Sequence, residues 1–135
     1  MLEKIFSRES LVPPEQLPPL VLAHVGDAVY ELYIRTRLLN KSRTTAHKMH
    51  LEVVRYVKAQ AQAQALHTIQ PLLTEEEERI VRRGRNARPG HVPKHASVID
   101  YRRSSAFEAL IGYLYLQGRD ERLKEILEKA ESVLE

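Results

Sequence analysis

The sequence predicts an all-α fold, and three observations support this prediction. Residues 20–39 and 101–117 are apolar stretches of helix length whose hydrophobic positions recur with helical periodicity. Proline, glycine and asparagine separate the helical stretches from one another. No stretch between turn signals shows the convincing alternation of apolar and polar residues that is typical of a half-buried strand. At 135 residues, the chain fits a single domain.

Residues 1–18 predict an irregular lead-in, with a short apolar segment around Leu2, Ile5 and Phe6 followed by two proline pairs. The first main helix is expected to begin near Pro19 and to end at a polar turn over residues 40–43. Because two adjacent apolar stripes run along this helix, we expect it to be largely buried. The stripes are Val21, Val25, Ala28 and Leu32, and Leu22, Val29 and Tyr33.

The second helix is predicted to run without interruption until Pro71 breaks it. Either Thr44 or Thr45 can serve as its N-cap. Near its end, the AQAQAQA run of residues 59–65 consists of strong helix formers.

The third helix is marked by a capping-box pattern, in which Thr74 is followed three residues later by Glu77. We expect this helix to stop at Gly84. Residues 84–95 contain two glycines, two prolines and few apolar side chains, so they predict an exposed loop.

Two further helices complete the prediction. Residues 101–117 form the second apolar-rich helix, with Gly118 as its C-cap, and residues 120–134 form an amphipathic helix. The apolar-rich helix carries one carboxylate, Glu108, and Gly112 lies one turn later on the same face.

The apolar stretch 20–39 has the carboxylate Asp27 in its middle, directly after Gly26, and a second carboxylate, Glu31, one turn later. A carboxylate among apolar neighbours costs several kcal/mol of desolvation unless it is compensated. Glycine inside a helix costs roughly 1 kcal/mol relative to alanine and often marks the close approach of another backbone. If the two helices cross at Gly26 and Gly112, Asp27 and Glu108 converge, and such oxygen ligands favour Mg²⁺ or Mn²⁺.

The composition excludes several classes of protein. The chain has no cysteine, which excludes disulfide frameworks and cysteine-ligated metal sites and favours a reducing, cytosolic compartment. It shows no secretory signal pattern and no apolar run long enough to span a bilayer. We therefore expect neither secretion nor membrane insertion.

The positive charge of the chain is concentrated in one window. Residues 79–103 contain eight Lys or Arg residues and one acid, for a net charge of +7, whereas the whole chain carries +3. Such an asymmetry predicts a local anion-binding surface, although a solvated face is the simpler alternative.

At its two acids the sequence resembles the ribonuclease III family. The stretch HVGDAVYEL around Asp27 and the stretch AFEALIGYLYL around Glu108 are similar to the two motifs of that family. The patterns RRGRNA, PKH and YRRSSAFEALIGYLYL are similar to the Mini-III subfamily, which has the catalytic domain alone. The resemblance implies a ribonuclease III-like helical bundle over residues 19–135, with no double-stranded-RNA-binding domain.

The resemblance further implies a Mg²⁺-dependent endoribonuclease, with Mn²⁺ as a substitute, that cuts double-stranded RNA to leave 5′-phosphate and 3′-hydroxyl ends. Asp27 and Glu108 would be both the catalytic residues and the metal ligands. Two further carboxylates of the family are replaced here by Ala23 and Ser105, which leaves the number of ions open. Ser105 and Glu31 are candidates for supporting roles, and for Glu31 a salt bridge or an interhelical hydrogen bond is the alternative.

The basic loop, over about residues 84–97, would replace the missing binding domain, since duplex RNA is read mainly through its shape, phosphates and 2′-hydroxyls. The resemblance also implies a homodimer that matures 23S ribosomal RNA precursor in the cytoplasm, and it leaves open whether a ribosomal protein assists. The candidate RNA-binding residues are Arg82, Arg83, Arg85, Asn86, Arg88, Lys94 and His95.

Other classes of protein compete with the enzyme. A non-catalytic RNA-binding module of the same fold would keep the basic loop and lose cleavage, and the replaced carboxylates favour it. A di-iron helical bundle requires paired Glu-x-x-His motifs, which the sequence lacks. A helical interaction adaptor is left only if the motif match is accidental.

Overall fold

The structure is a computed structural model that describes residues 7–41, 43–92, 94 and 97–132. Within these residues the chain is helical and has no strand, which confirms the all-α prediction. The predicted apolar segment around Leu2, Ile5 and Phe6 lies outside the described residues. The α-helices are α1 (Pro19–Lys41), α2 (Ala46–Val57), α3 (Ala59–Ile69), α4 (Glu75–Asn86), α5 (Val98–Leu116) and α6 (Asp120–Ser132), with 3₁₀ turns at Pro14–Gln16 and Gln70–Leu72.

Helix α5 is the centre of the bundle, and α1, α3 and α4 all pack against it. Its side chains are buried on every side between Ser104 and Leu114, apart from Glu108, which is partly buried. The helix ends in a Schellman motif at Gly118, whose φ of +69° is the left-handed conformation that glycine adopts without strain. The C-cap residue itself is Gln117, and the glycine predicted as the C-cap follows it by one position and ends the helix there.

Helices α1 and α5 cross where Gly26 faces Gly112, as the sequence predicted. A Cβ atom on Gly26 would lie 1.7 Å from the carbonyl oxygen of Glu108, and one on Gly112 would lie 2.0 Å from the carbonyl oxygen of Leu22. These distances leave no room for a methyl group, so the two backbones are in direct contact.

The predicted end of the third helix at Gly84 is wrong. The capping box of Thr74 and Glu77 is confirmed, but α4 continues to Asn86. Gly84 is buried inside the helix, and a Cβ atom there would lie 2.8 Å from the Cα atom of Ala106. This glycine allows α4 to approach α5 closely, and the loop predicted to start at residue 84 starts only after Asn86.

The prediction of one long second helix is also wrong. Lys58 adopts an extended backbone, with φ −63° and ψ 152°, and separates α2 from α3. The N-cap is Thr45, whose hydroxyl accepts a hydrogen bond from the Lys48 backbone at 3.2 Å. Neither proline nor glycine stands at the break, so no sequence signal marked it.

Helix α1 is less buried than its apolar stripes predicted. Its buried face consists of Leu22, Ala23, Gly26, Tyr30 and Ile34. The stripe that contains Val21 and Leu32 instead faces outward, and these two side chains are 46% and 68% exposed. The chain therefore presents an apolar face on α1. None of the described helices has the length and apolarity needed to cross a lipid bilayer.

Candidate active site

Asp27 of α1 and Glu108 of α5 line the same cleft, which has a volume of about 750 Å³. The glycine crossing produces this arrangement. Asp27 directly follows Gly26, and Glu108 lies one turn before Gly112, so both acids stand beside the point where the two backbones touch. The junction of α2 with α3 and the first turn of α5 form the rest of the wall. The other polar residues in the wall are Lys58, Gln60, Gln62, Ser97, Asp100, Tyr101 and Ser104.

The two acids differ in burial, and the expectation that Asp27 is desolvated among apolar neighbours is wrong. Asp27 is exposed at the cleft, because it follows Gly26 and so lies beside the buried face of α1. The carboxyl of Glu108 is the more deeply placed of the two. Burial is the largest cause that raises the pKa of Glu108 to about 8, and the negative charge of Asp27 and a hydrogen bond between the two carboxyls add to it.

This raised pKa has a chemical consequence. At neutral pH and without a cation, Glu108 keeps its proton, and the proton offsets the repulsion between the two carboxyls. A divalent cation placed between the acids could take over this role, and it would displace the proton as it binds.

Gln62 of α3 is a site residue that the sequence did not single out. It is 2% exposed, and its Nε2 lies 2.8 Å from the carbonyl oxygen of Val57 and 3.5 Å from Oε2 of Glu108. Lys58, which the break between α2 and α3 brings to the rim of the cleft, was missed as well. The AQAQAQA run contains three evenly spaced glutamines, so the sequence alone could not show which of them faces the acids.

The donors of the cleft fit a hard divalent cation. The carboxylates of the wall, Asp27, Asp100 and Glu108, are oxygen donors of the kind that Mg²⁺ and Mn²⁺ prefer. Across the described ranges, no group of three or more His, Cys, Asp or Glu residues could enclose a metal ion. A cation held here would therefore take much of its coordination from water and from a phosphate ligand, as Mg²⁺ commonly does.

The other positions that the sequence associated with the site, Ala23, Ser105 and Glu31, lie outside the cleft. Ala23 and Ser105 are each 7% exposed and do not line the cleft, where Ser104 stands instead and donates to the Tyr101 carbonyl at 2.7 Å. Glu31 accepts a hydrogen bond from Nη2 of Arg35 at 2.6 Å. This is the salt bridge that the sequence offered as the alternative for Glu31.

The basic residues are divided between α4 and the loop that follows it. Arg82, Arg85 and Asn86 are exposed on the last turns of α4, opposite the buried Gly84, and Arg88 and Lys94 are exposed in the loop. Their solvent-facing positions are suited to binding phosphates.

Two members of the predicted RNA-binding set stand apart from this exposed group. Arg83 donates through Nη1 to the Glu15 carbonyl and through Nη2 to the Leu17 carbonyl, each at 3.0 Å. It thus ties the lead-in to the bundle. His95 lies outside the described residues.

Comparison with known proteins shows what the chain is similar to. The ribonuclease III domain family matches residues 20–119. A Mini-ribonuclease 3 from Symbiobacterium thermophilum is 49% identical over 125 residues, which cover 93% of this chain and 96% of the relative. A Mini-ribonuclease 3 from Thermoanaerobacter sp. strain X514 is 53% identical over 119 residues, covering 88% of this chain and 84% of the relative. A crystal structure of a protein from Fusobacterium nucleatum superposes with a TM-score of 0.76 at 31% identity, covering 84% of this chain and 90% of that one.

Proposed function

The chain belongs to the ribonuclease III family, and from this premise we propose that it is a divalent-metal-dependent endoribonuclease of double-stranded RNA, with Asp27 and Glu108 as its catalytic acids. The observation that carries the proposal is the convergence of these two carboxyls in one cleft at the crossing of α1 and α5. Two carboxyls so placed repel each other unless a proton or a cation lies between them. Burial is the largest cause of the raised pKa of Glu108, and the repulsion from Asp27 adds to it.

Asp27 and Glu108 are the residues that would hold the cation, for which we propose Mg²⁺, with Mn²⁺ as a substitute. When bound, such a cation polarises the phosphate and makes water a nucleophile at neutral pH, so that hydrolysis leaves 5′-phosphate and 3′-hydroxyl ends. Asp27 is exposed and needs no conformational change to meet the ion. Glu108 must release its proton to bind, and its fixed place on the central helix keeps its carboxylate directed into the cleft.

The exposed basic residues on α4 and the following loop are proposed to bind the RNA backbone. Arg82, Arg85, Arg88 and Lys94 would contact phosphates, and Asn86 would contact a sugar or a base edge. Duplex RNA presents phosphates and 2′-hydroxyls to a protein, while its base edges are hard to reach. Exposed basic side chains are suited to binding such a surface. We leave Arg83 out of this surface because its guanidinium is engaged by two backbone carbonyls.

We also propose that the protein is a homodimer. The outward apolar stripe of α1 supports this, since Val21 and Leu32 are exposed in the single chain and Val25 is only partly covered. A second copy that packed on this stripe would bury it and place two clefts in one particle. Each cleft would then cut one strand of the duplex.

The finer assignment concerns the natural substrate. We propose a catalytic domain over residues 19–135, preceded by the lead-in of residues 1–18, that matures 23S ribosomal RNA precursor in the cytoplasm. This rests on the Mini-III pattern of the chain and on the relatives that carry the name Mini-ribonuclease 3. Cleavage of the bare precursor would show that no ribosomal protein is needed to present it.

The test of the enzyme is cleavage of an end-labelled RNA duplex in Mg²⁺. Wild type should cut, and Asp27→Asn should bind the duplex without cutting it, since it loses a cation ligand but no RNA contact. Replacing Mg²⁺ by Ca²⁺ should likewise preserve binding and stop cleavage. Glu128→Gln, which removes an exposed carboxylate on α6, is the matched control and should cut normally. If wild type binds both the duplex and ribosomal precursor and cuts neither, the non-catalytic RNA-binding module replaces the enzyme.

A further inference from the structure

We propose that Gln62 is a positioning residue for Glu108, whose side-chain amide ties the catalytic carboxylate to the carbonyl end of α2. The inference rests on the proposed function, because it gives Gln62 a part in cation binding at Asp27 and Glu108. Gln62 would act through Glu108 and would not itself contact the scissile phosphate.

The first support is the orientation of the amide. The Val57 carbonyl can only accept a hydrogen bond, so the group facing it at 2.8 Å must be the Nε2 amide of Gln62. The second hydrogen of that NH₂ group is left for Oε2 of Glu108, at 3.5 Å. The two hydrogens of one NH₂ group thus hold the Glu108 carboxyl beside the Val57 carbonyl.

The second support is the break between α2 and α3. In an uninterrupted helix the Val57 carbonyl would accept the backbone N–H four residues later, and the extended conformation of Lys58 removes that partner. The side chain of Gln62 takes its place. The same amide therefore closes the end of α2 and contacts Glu108, which couples the position of the carboxylate to the junction.

The third support is that the amide keeps this orientation although its own oxygen stays unpaired. Oε1 of Gln62 is buried and has no hydrogen-bond partner in the part of the chain that the structure describes. An unsatisfied buried acceptor costs about 1–3 kcal/mol. The amide keeps this orientation because both acceptors, Val57 and Glu108, lie on its Nε2 side.

The chain supplies a matched control for this proposal. Gln64 is on the same helix, in the same alternating run, and its side chain is exposed, whereas Gln62 is 2% exposed. An identical substitution at the two positions thus separates the contact with Glu108 from the general effect of replacing a glutamine on α3.

The experiment measures Mn²⁺ binding by electron paramagnetic resonance without RNA, in wild type, Gln62→Met, Gln64→Met and Asp27→Asn. We expect Gln62→Met to weaken binding about tenfold, as the loss of a residue that orients a metal ligand does, and Gln64→Met to leave it unchanged. In cleavage assays, Gln62→Met should need about tenfold more metal for half-maximal rate, while its affinity for the duplex is unchanged. Equal Mn²⁺ affinity in wild type and Gln62→Met would overturn the role of Gln62. Failure of wild type to bind Mn²⁺, or full binding by Asp27→Asn, would instead overturn the proposed function.

Gln62→Met also deprives the Val57 carbonyl of its donor, so a second measurement uses wild type alone. The side-chain NH₂ resonances of Gln62, assigned by NMR, should shift on addition of Mg²⁺ with the same midpoint as cation binding. Those of Gln64 should not shift. Gln62 resonances that stay in place while the cation binds would refute the proposal even if the variant did not fold.

Discussion

Glu108 should destabilise the metal-free protein, and Glu108→Gln should therefore stabilise it at alkaline pH. The pKa of this carboxyl is raised from 4.5 to about 8 in the folded chain, first by burial and then by Asp27. At about 1.4 kcal/mol for each unit of pKa, ionising Glu108 in the folded state costs up to about 5 kcal/mol relative to the unfolded chain. Because the cleft is open to water, which screens the charge, we expect a gain of about 2–4 kcal/mol for the neutral amide.

The sign of this effect depends on pH. Below about pH 4.5 the carboxyl is protonated in both states, so wild type and Glu108→Gln should unfold with similar free energies. Between about 4.5 and about 8 the unfolded chain releases the proton and the folded chain retains it, so wild type loses stability as the pH rises. Above about 8 the difference is complete.

Urea unfolding followed by circular dichroism, in EDTA at fixed protein concentration, measures this difference at about pH 5 and about pH 9. Glu128→Gln is the control, and its effect should be small at both pH values because that carboxylate is exposed. Adding Mg²⁺ at the higher pH should stabilise wild type and not Glu108→Gln. A gain from Glu108→Gln that is equal at the two pH values, or a loss at about pH 9, would refute this account of the site.

Three further predictions concern the crossing, the dimer and the RNA surface. Gly112→Ala should destabilise the fold by about 3 kcal/mol or more and reduce cleavage, because its Cβ would lie 2.0 Å from the Leu22 carbonyl oxygen. Gly90→Ala is the control and should change neither stability nor cleavage, because no atom lies within 4 Å of its Cβ. Thermal melts and cleavage assays measure the two effects. Leu32→Glu should convert the proposed dimer to monomer in gel filtration, and Leu51→Glu, at a leucine also exposed on α2, should not. A dimer that survives Leu32→Glu contradicts the assignment of the α1 face. Arg85→Ala should lower the affinity for the duplex and reduce the slope of log affinity against log salt concentration by about one. Arg55→Ala on α2 is the control. An unchanged slope in Arg85→Ala would show that Arg85 does not belong to the RNA-binding surface.

The meeting of the two acids could be predicted from the sequence because its signals are local. A carboxylate in an apolar helix and a glycine near it occur in both α1 and α5, and their pairing needs no knowledge of the loops. Which acid is desolvated could not be predicted. Both faces of α1 are apolar, so periodicity alone could not choose between the stripe that faces α5 and the stripe that faces outward.

The errors at Gly84 and Lys58 have a common cause, which is that no sequence signal identified the contact that decides the backbone there. Glycine ends helices and also allows helices to touch, and only the position of Ala106 identifies the second role for Gly84. The break at Lys58 involves a buried amide that substitutes for a backbone donor, and nothing in the AQAQAQA run distinguishes that amide from its two neighbours. Gln62 was missed for the same reason.

The contact at Gly26 and Gly112 is made by main-chain atoms, and this has a consequence for how the protein can vary. Where backbone rests on backbone, the relative placement of the two acids does not depend on the rotamers of nearby apolar side chains. Core residues away from the crossing can therefore be exchanged for others of similar volume with an effect on stability but little effect on the reacting groups. The end of α4 lies outside this contact, so substitutions in the proposed RNA-binding surface should leave the placement of the two acids unchanged.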